Sequence, residues 1–294
     1  MLRYRTPMLD ARLRYVVDDA DPRAPTQDEW DRMTPAEREE LLASLPSEMP
    51  ISESAPPEGD VHFEAVVRAR DVLRGFFGRS GRRIWVANNL PIYYPGERMF
   101  SPDVIAVVDV DSRSRDHFTV SAEGKGLDVV IEVLWAGRRK KDLADNVERF
   151  ARLGIPEYFV FDRRKLRLHG HRLPTPGARA YRPILPQLGA YRSEQLGLDL
   201  SVEGDKLRFS YSGAPLPESA ELIARLDGNL RAAEQSAEEE ARRAEHEALR
   251  AEEEAGRAEH EAGRADGEAR RADAAERRLA EARAELERLR GEGR

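Results

Sequence analysis

The sequence contains no cysteine in its 294 residues. This absence excludes disulfide bonds, zinc–thiolate sites and cysteine nucleophiles. No run of 18 apolar residues occurs, so a membrane-spanning helix is also excluded. The opening residues, MLRYRTPMLDARLRYVVDD, contain no apolar stretch of signal-peptide type. Together these absences predict a protein of the reducing cytoplasm that has no membrane partner.

Histidine and glycine patterns typical of two enzyme classes are missing as well. The six histidines include no HExxH sequence or other paired metal spacing, and Gly75, Gly78 and Gly81 form no phosphate-binding loop after a strand. Zinc hydrolase and nucleotide-binding functions are therefore disfavoured. His169 and His171 alternate along one predicted strand and are expected at exposed positions.

Charged residues, in contrast, make up 35% of the chain and give it a net charge of −7. The charge is unevenly distributed. Residues 60–215 carry 26 Lys and Arg against 20 Asp and Glu, whereas the parts before and after them are acidic. Only the middle of the chain therefore has the positive excess that binding to nucleic-acid phosphates requires, and this excess permits DNA binding without demanding it.

Shifts in composition divide the chain into three predicted parts. Residues 1–59 form an N-terminal accessory segment with one short helix, in which Thr34 and Glu37 make a capping box. Residues 60–216 form the folded domain that carries the candidate site. Residues 217–294 form a charged helical tail.

The middle part alternates between helical and extended patterns. Two helices are predicted, VHFEAVVRARDVLRGFFG after Asp60 and DLADNVERFARLG with Asp142 as its N-cap. Apolar runs such as SPDVIAVVDV and DVVIEVL predict strands, and EYFVFD after the second helix completes a strand–helix–strand crossover. The predicted fold class is α/β, a mixed β-sheet with a helix on each face.

Beyond Pro217 the sequence becomes repetitive. Alanine recurs every seven residues in two registers three residues apart, as at the a and d positions of a heptad repeat. The two series are Ala241, Ala248, Ala255, Ala262 and Ala269, and Ala244, Ala251, Ala258, Ala265 and Ala272. Leu279, Leu286 and Leu289 take over near the end. The pattern predicts a long, largely solvated helix that pairs weakly.

Two carboxylates stand in strands that would otherwise place valine or isoleucine there. Asp103 opens one apolar run and Glu132 interrupts the next. Adjacent strands could present both acids to one divalent cation. The alternative is that Asp103 caps a strand and Glu132 pairs with a basic neighbour, because an unpaired buried charge costs several kcal/mol. The first predicted helix carries His62 and Glu64 near its start, where a glutamate complements the helix dipole.

A basic cluster follows Glu132 within ten residues and comprises Arg138, Arg139, Lys140 and Lys141. Such side chains can reach the two acids, or a phosphate beside them. The alternative is a solvated basic loop.

Several of these pieces together resemble a known family. They are Pro102-Asp103, the strand end Glu132-Val133-Leu134, Asp142 at the start of a helix, and the turn GIPEYF leading to Asp162. Over residues 60–212 the chain resembles the Uma-two family of restriction endonucleases, within the PD-(D/E)xK nuclease superfamily. Three positions depart from the pattern: Trp135 replaces a usual serine, and Leu134 and Asn146 stand where lysine is usual.

The resemblance implies a restriction-endonuclease-like fold and hydrolysis of DNA phosphodiester bonds with Mg²⁺ or Mn²⁺. It implies that Asp103, Glu132 and the backbone carbonyl of Val133 hold the metal. It also makes His62 and Glu64, near the start of the first helix, further candidates for the site. Lys141 is then the favoured replacement for the missing catalytic lysine, followed by Lys140 and Arg139, with Asn146 as a neutral polar alternative. Implied partners are DNA and a second copy, bound through the nuclease domain and the C-terminal helix. The alternative function is an inactive nuclease fold that acts as a nucleic-acid or protein interaction module through its coiled-coil tail.

Overall fold

The computed structural model describes residues 15–48, 59–134 and 141–291. The chain divides into two compact units, Met1–Leu222 and Ile223–Arg294. No helix within the described ranges combines the length and the apolarity needed to span a membrane. The three-part division expected from composition stays a prediction.

The helices of the described residues begin and end as follows: α1 Gln27–Arg32, α2 Pro35–Ser44, α3 Asp60–Ser80, α4 Val120–Glu123, α5 Asn146–Leu153 and α6 Ser219–Gly291. The strands are β1 Ile84–Ala87, β2 Ile92–Tyr93, β3 Val104–Val108, β4 Phe118–Thr119, β5 Val129–Leu134, β6 Glu157–Asp162, β7 Arg167–Arg172, β8 Arg182–Pro183, β9 Tyr191–Ser193, β10 Leu198–Glu203, β11 Lys206–Tyr211 and β12 Ala214–Pro215.

The main sheet has six strands in the order β1-β3-β5-β6-β7-β8. Only β5 and β6 run parallel, with α5 between them in the chain, and the other neighbours are antiparallel. A parallel pair needs such a crossover connection, whereas the antiparallel pairs are joined as hairpins or by longer loops. The predicted class, a mixed α/β sheet, is therefore confirmed.

Side chains that alternate along the strands fill two apolar layers, one on each face of the main sheet. On one face, Val129, Ile131 and Val133 of β5 pack with α3 and with a second, four-stranded sheet in the order β12-β11-β10-β9. On the other face, Val130 and Leu134 pack with α5 and its neighbours. The expected helix on each face is present, and the second sheet is an addition that the sequence patterns indicated only as extended pieces.

Two helix boundaries differ from the predictions. The first long helix continues past Gly78 and ends at Ser80, where Gly81 adopts φ 72°, a conformation that favours glycine. The second begins as a π-helical turn, Lys141–Asp145, and becomes α-helical only at Asn146. Asp142 therefore lies inside this turn and does not cap α5.

The N-terminal segment packs on the main unit. Both of its helices, α1 and α2, begin with a capping box, and the one predicted at Thr34 is confirmed. Leu45 and Ala24 pack against Tyr93 and Met99, and the Tyr93 hydroxyl donates a 2.7 Å hydrogen bond to the Pro46 carbonyl. The segment thus shares a small apolar cluster with the residues around β2.

The helix α6 extends over 73 residues, and the exposed side chains along it include Leu249, Leu279 and Leu286. The predicted long helix is therefore confirmed. Its alanine stripe has acids at the flanking e and g positions, for example Glu245 and Glu247. Paired identical copies would oppose like charges along this stretch. The homodimer through the tail stays a prediction.

A buried carboxylate ties the start of α6 to the fold. Glu218 is 6% exposed and its oxygens lie 3.2 Å from Arg68 Nε, 3.0 Å from Lys206 Nζ and 2.9 Å from Arg208 Nη1. These cations come from α3 and β11. One acid therefore joins a helix, a strand and the first turn of α6.

We expect Glu218→Ala to lower the free energy of unfolding by about 1 to 3 kcal/mol, because it leaves three partly buried cations without their shared anion. The control is Glu203→Ala, which removes a 67% exposed carboxylate from the same Arg208 and should cost less than about 1 kcal/mol. Urea denaturation of the full chain measures both losses. Equal losses would show that the buried cluster contributes no more than a surface ion pair.

Candidate active site

The candidate site lies where β3 begins and β5 ends. The two strands are antiparallel, with Val104 opposite Ile131 and Ala106 opposite Val129. Asp103 and Glu132 are the next residues along this register. Since side chains alternate between the faces of the sheet, Glu132 lies on the face that carries Val130, whereas Asp103 directly precedes the first residue of β3.

The two acids are held by each other's strands. The Asp103 backbone N–H donates to Glu132 Oε2 at 3.3 Å, and the Val133 backbone N–H donates to Asp103 Oδ2 at 2.7 Å. The carboxylates thus take the place of backbone acceptors at the end of the β3–β5 ladder. This arrangement brings together the two predicted acids and Val133, and Asp103 also acts as the strand cap that was the alternative interpretation.

A histidine completes the described part of the cluster. His62, in the first turn of α3, places Nε2 3.1 Å from Asp103 Oδ2, and each of the two side chains is 16% exposed. At this distance an imidazole N–H can donate to the carboxylate. Glu64, the neighbouring candidate, is exposed. Of the two candidates in this helix, the structure therefore brings His62 to the acids.

The predicted basic component falls mostly outside the described residues. Residues 135–140, with Arg138, Arg139 and Lys140, are not described, and neither is the side chain of Lys141. At the positions where the nuclease pattern has lysine, Leu134 is buried in the apolar layer and Asn146 is 5% exposed at the start of α5. Lys141 stays a prediction.

The two histidines of β7 are both half-buried. His171 is half-buried and its ring lies 6.1 Å from that of Tyr158 and 6.0 Å from that of Tyr181. Burial lowers the pKa of His171, and the nearby His169 lowers it further. The expectation that both histidines are exposed was wrong, and at His171 the rings of Tyr158 and Tyr181 account for the burial.

The donor set at the acid pair fits a hard cation that keeps part of its water. Among the described residues, no group of three or more His, Cys, Asp or Glu side chains could hold a metal ion. Mg²⁺ needs no such cage, since it is commonly held by one or two carboxylates and several waters. Asp103 and Glu132 would supply those carboxylates, and their role as metal ligands stays a prediction. The Val133 carbonyl as a third ligand stays a prediction.

A mixed α/β sheet with an acid pair at the ends of two central strands defines a restriction-endonuclease-like protein. The sequence profile of the Uma2 (Uma-two) family, described as "Putative restriction endonuclease", matches residues 51–203, which is 153 of the 294 residues. The chain belongs to this family.

Part of the chain is similar to solved structures, among them the crystal structure of a putative nuclease belonging to DUF820 from Anabaena variabilis ATCC 29413, at 12% sequence identity and a TM-score of 0.38. The similarity covers 48% of this chain and 76% of that one. No curated protein is similar enough in sequence to count as a relative.

We expect Asp103→Ala to lower the free energy of unfolding by about 1 to 3 kcal/mol, because the buried Val133 amide loses its acceptor. Asp103→Asn keeps a side-chain oxygen in place and should lose less than half as much. Chemical denaturation in the presence of EDTA measures the difference without a contribution from metal. If both variants are as stable as the wild type, the bond between Asp103 and the Val133 amide has no structural role.

Proposed function

We propose that this protein is a divalent-metal-dependent endonuclease that hydrolyses phosphodiester bonds in DNA. The observation that carries the proposal is the acid pair. Glu132 accepts a hydrogen bond from the Asp103 backbone N–H, and Asp103 accepts one from the Val133 backbone N–H. Membership of the Uma2 family supports a hydrolase that acts on nucleic acid.

Hydrolysis of a phosphodiester needs an activated water, neutralisation of charge on the scissile phosphate and a stabilised leaving oxygen. Asp103 and Glu132 would hold Mg²⁺, or Mn²⁺ in its place, with the Val133 carbonyl. When bound, the metal would neutralise phosphate charge and lower the pKa of a bound water. The chain itself orients the Asp103 carboxylate, because the Val133 amide and His62 both contact Asp103 Oδ2. Partial burial strengthens these electrostatic interactions.

The first test is cleavage of supercoiled plasmid DNA by the full chain with Mg²⁺ or Mn²⁺. We expect nicking that EDTA abolishes, and a loss of at least about 100-fold in Asp103→Asn and in Glu132→Gln, because each removes one of two charged ligands. Glu64→Gln, an exposed acid in the same helix as His62, is the control and should cut at the wild-type rate. Undiminished cleavage by Asp103→Asn would remove the acid pair from the mechanism.

Lys141 is the proposed cation for the scissile phosphate, since Leu134 occupies the position where the nuclease pattern has lysine. We expect Lys141→Ala to slow cleavage about tenfold with little change in melting temperature, because the role acts on the substrate and not on the fold. Lys140→Ala tests the neighbouring lysine, which is the second candidate for this role. If both variants cut at the wild-type rate, the role belongs to another residue, with Asn146 the next candidate.

The leucine at position 134, where the nuclease pattern has lysine, also favours a second function. Leu134 is 4% exposed and cannot offer a positive charge, so a nuclease fold that binds without cutting is consistent with this position. On this reading the long helix α6 would assemble the chain or bind protein partners. Metal-independent DNA binding by wild type, with no cleavage under any divalent cation, would favour this function over catalysis.

A further inference from the structure

The connection from β6 to β7 is the most basic short segment that the structure describes near the acid pair. Residues 163–167, which we call the basic turn, read RRKLR and contain four cations in five positions. Arg164, Lys165 and Arg167 are all exposed. No ion pair to another described residue occupies these three side chains, so their charges face solvent.

The basic turn and the acid pair lie at the same end of the central strands. The Arg163 N–H donates to the Leu134 carbonyl at 2.9 Å, and Leu134 is only two residues beyond Glu132 on β5. In the parallel pairing, Leu134 lies opposite Asp162, the last residue of β6. Val160 lies opposite Glu132, and Arg163 is three residues further along the chain. With about 3.3 Å per residue and about 4.8 Å between strands, the turn therefore begins about 11 Å from Glu132.

The turn is fixed in this position by its first arginine. Arg163 Nη1 donates to the Val61 carbonyl, one residue before His62, and Arg163 Nη2 lies 2.8 Å from Asp205 Oδ2. The Lys165 N–H donates to Asp162 Oδ1 at 3.1 Å. Arg163 thereby joins the start of α3 and the β10–β11 turn. One cation anchors the segment, and the other three remain directed to solvent.

We propose that the basic turn binds the phosphate backbone of double-stranded DNA beside the acid pair, through Arg164, Lys165 and Arg167. Each strand of DNA presents one phosphate per about 3.4 Å of helix axis, so a surface that begins about 11 Å from Glu132 reaches phosphates within a few nucleotides of the cut. Contacts of this kind position the duplex without reading its sequence. The inference rests on the proposed function and names a surface of that site.

The test is binding of a fluorescein-labelled mixed-sequence 24-bp DNA duplex to the full chain, followed by anisotropy in EDTA between 50 and 200 mM KCl. The variant is Arg164→Ala/Lys165→Ala/Arg167→Ala. We expect its affinity to fall at least about tenfold and the slope of log affinity against log salt to shrink by about 2 to 3, since three phosphate contacts are lost.

The matched control is Arg74→Ala/Arg79→Ala/Arg83→Ala, which removes the same charge from exposed positions at and beyond the far end of α3. With about 1.5 Å per residue, Arg74 and Arg79 lie about 20 Å or more along the helix from Val61. Arg83 lies beyond the helix, where its carbonyl accepts from the Asp109 N–H just after β3, at the end of that strand away from Asp103. The control should retain nearly the wild-type affinity and slope. Thermal unfolding of both variants checks that the fold is intact.

The outcomes separate this inference from the proposed function. If wild type binds and cuts DNA but the basic-turn variant binds as tightly as the wild type, the turn is not a contact and the nuclease proposal stands. If both triple variants weaken binding equally, the effect is one of net charge and the inference is overturned. If wild type neither binds nor cuts the duplex, both proposals fall.

Discussion

The site depends on the reciprocal hydrogen bonds at the end of the β3–β5 ladder. Each strand offers a backbone N–H that the opposite strand's backbone does not use, and a carboxylate takes each one: Glu132 accepts from Asp103, and Asp103 accepts from Val133. A pair of negative charges is thereby placed at a fixed separation by two central strands. Residues on such strands are more rigid than residues on loops, which is what a metal or phosphate site requires.

The surrounding sheet can carry these charges because its other positions are apolar on both faces. Val129, Ile131 and Val133 fill one layer, and Val130 and Leu134 fill the other, so only Glu132 on β5 departs from the apolar pattern. An acid in such a strand is costly unless hydrogen bonds and nearby cations compensate. Here the Asp103 amide donates to Glu132, and the Val133 amide and the His62 ring contact Asp103. The residues proposed to hold the metal therefore also make hydrogen bonds that join the two strands.

Much of this arrangement followed from sequence. Alternation in VVIEVL placed Glu132 on one face, and the acid at the start of the preceding strand placed Asp103 beside it. What sequence could not give was the choice between His62 and Glu64, since both lie in the first turn of α3 and only the docking angle of that helix decides. It also missed the role of Arg163, because an arginine in a turn has no local signature of a bond to the Val61 carbonyl about 100 residues earlier.

The central claim is that Asp103 and Glu132 form one divalent-cation site. The most direct measurement is titration calorimetry of Mn²⁺ into the full chain, compared with Asp103→Asn and Glu132→Gln, in the absence of DNA. The account predicts one site per chain in wild type and loss of that site in both variants, with Glu64→Gln unchanged. Binding that survives in both acid variants, or a wild type that binds no Mn²⁺, would contradict it.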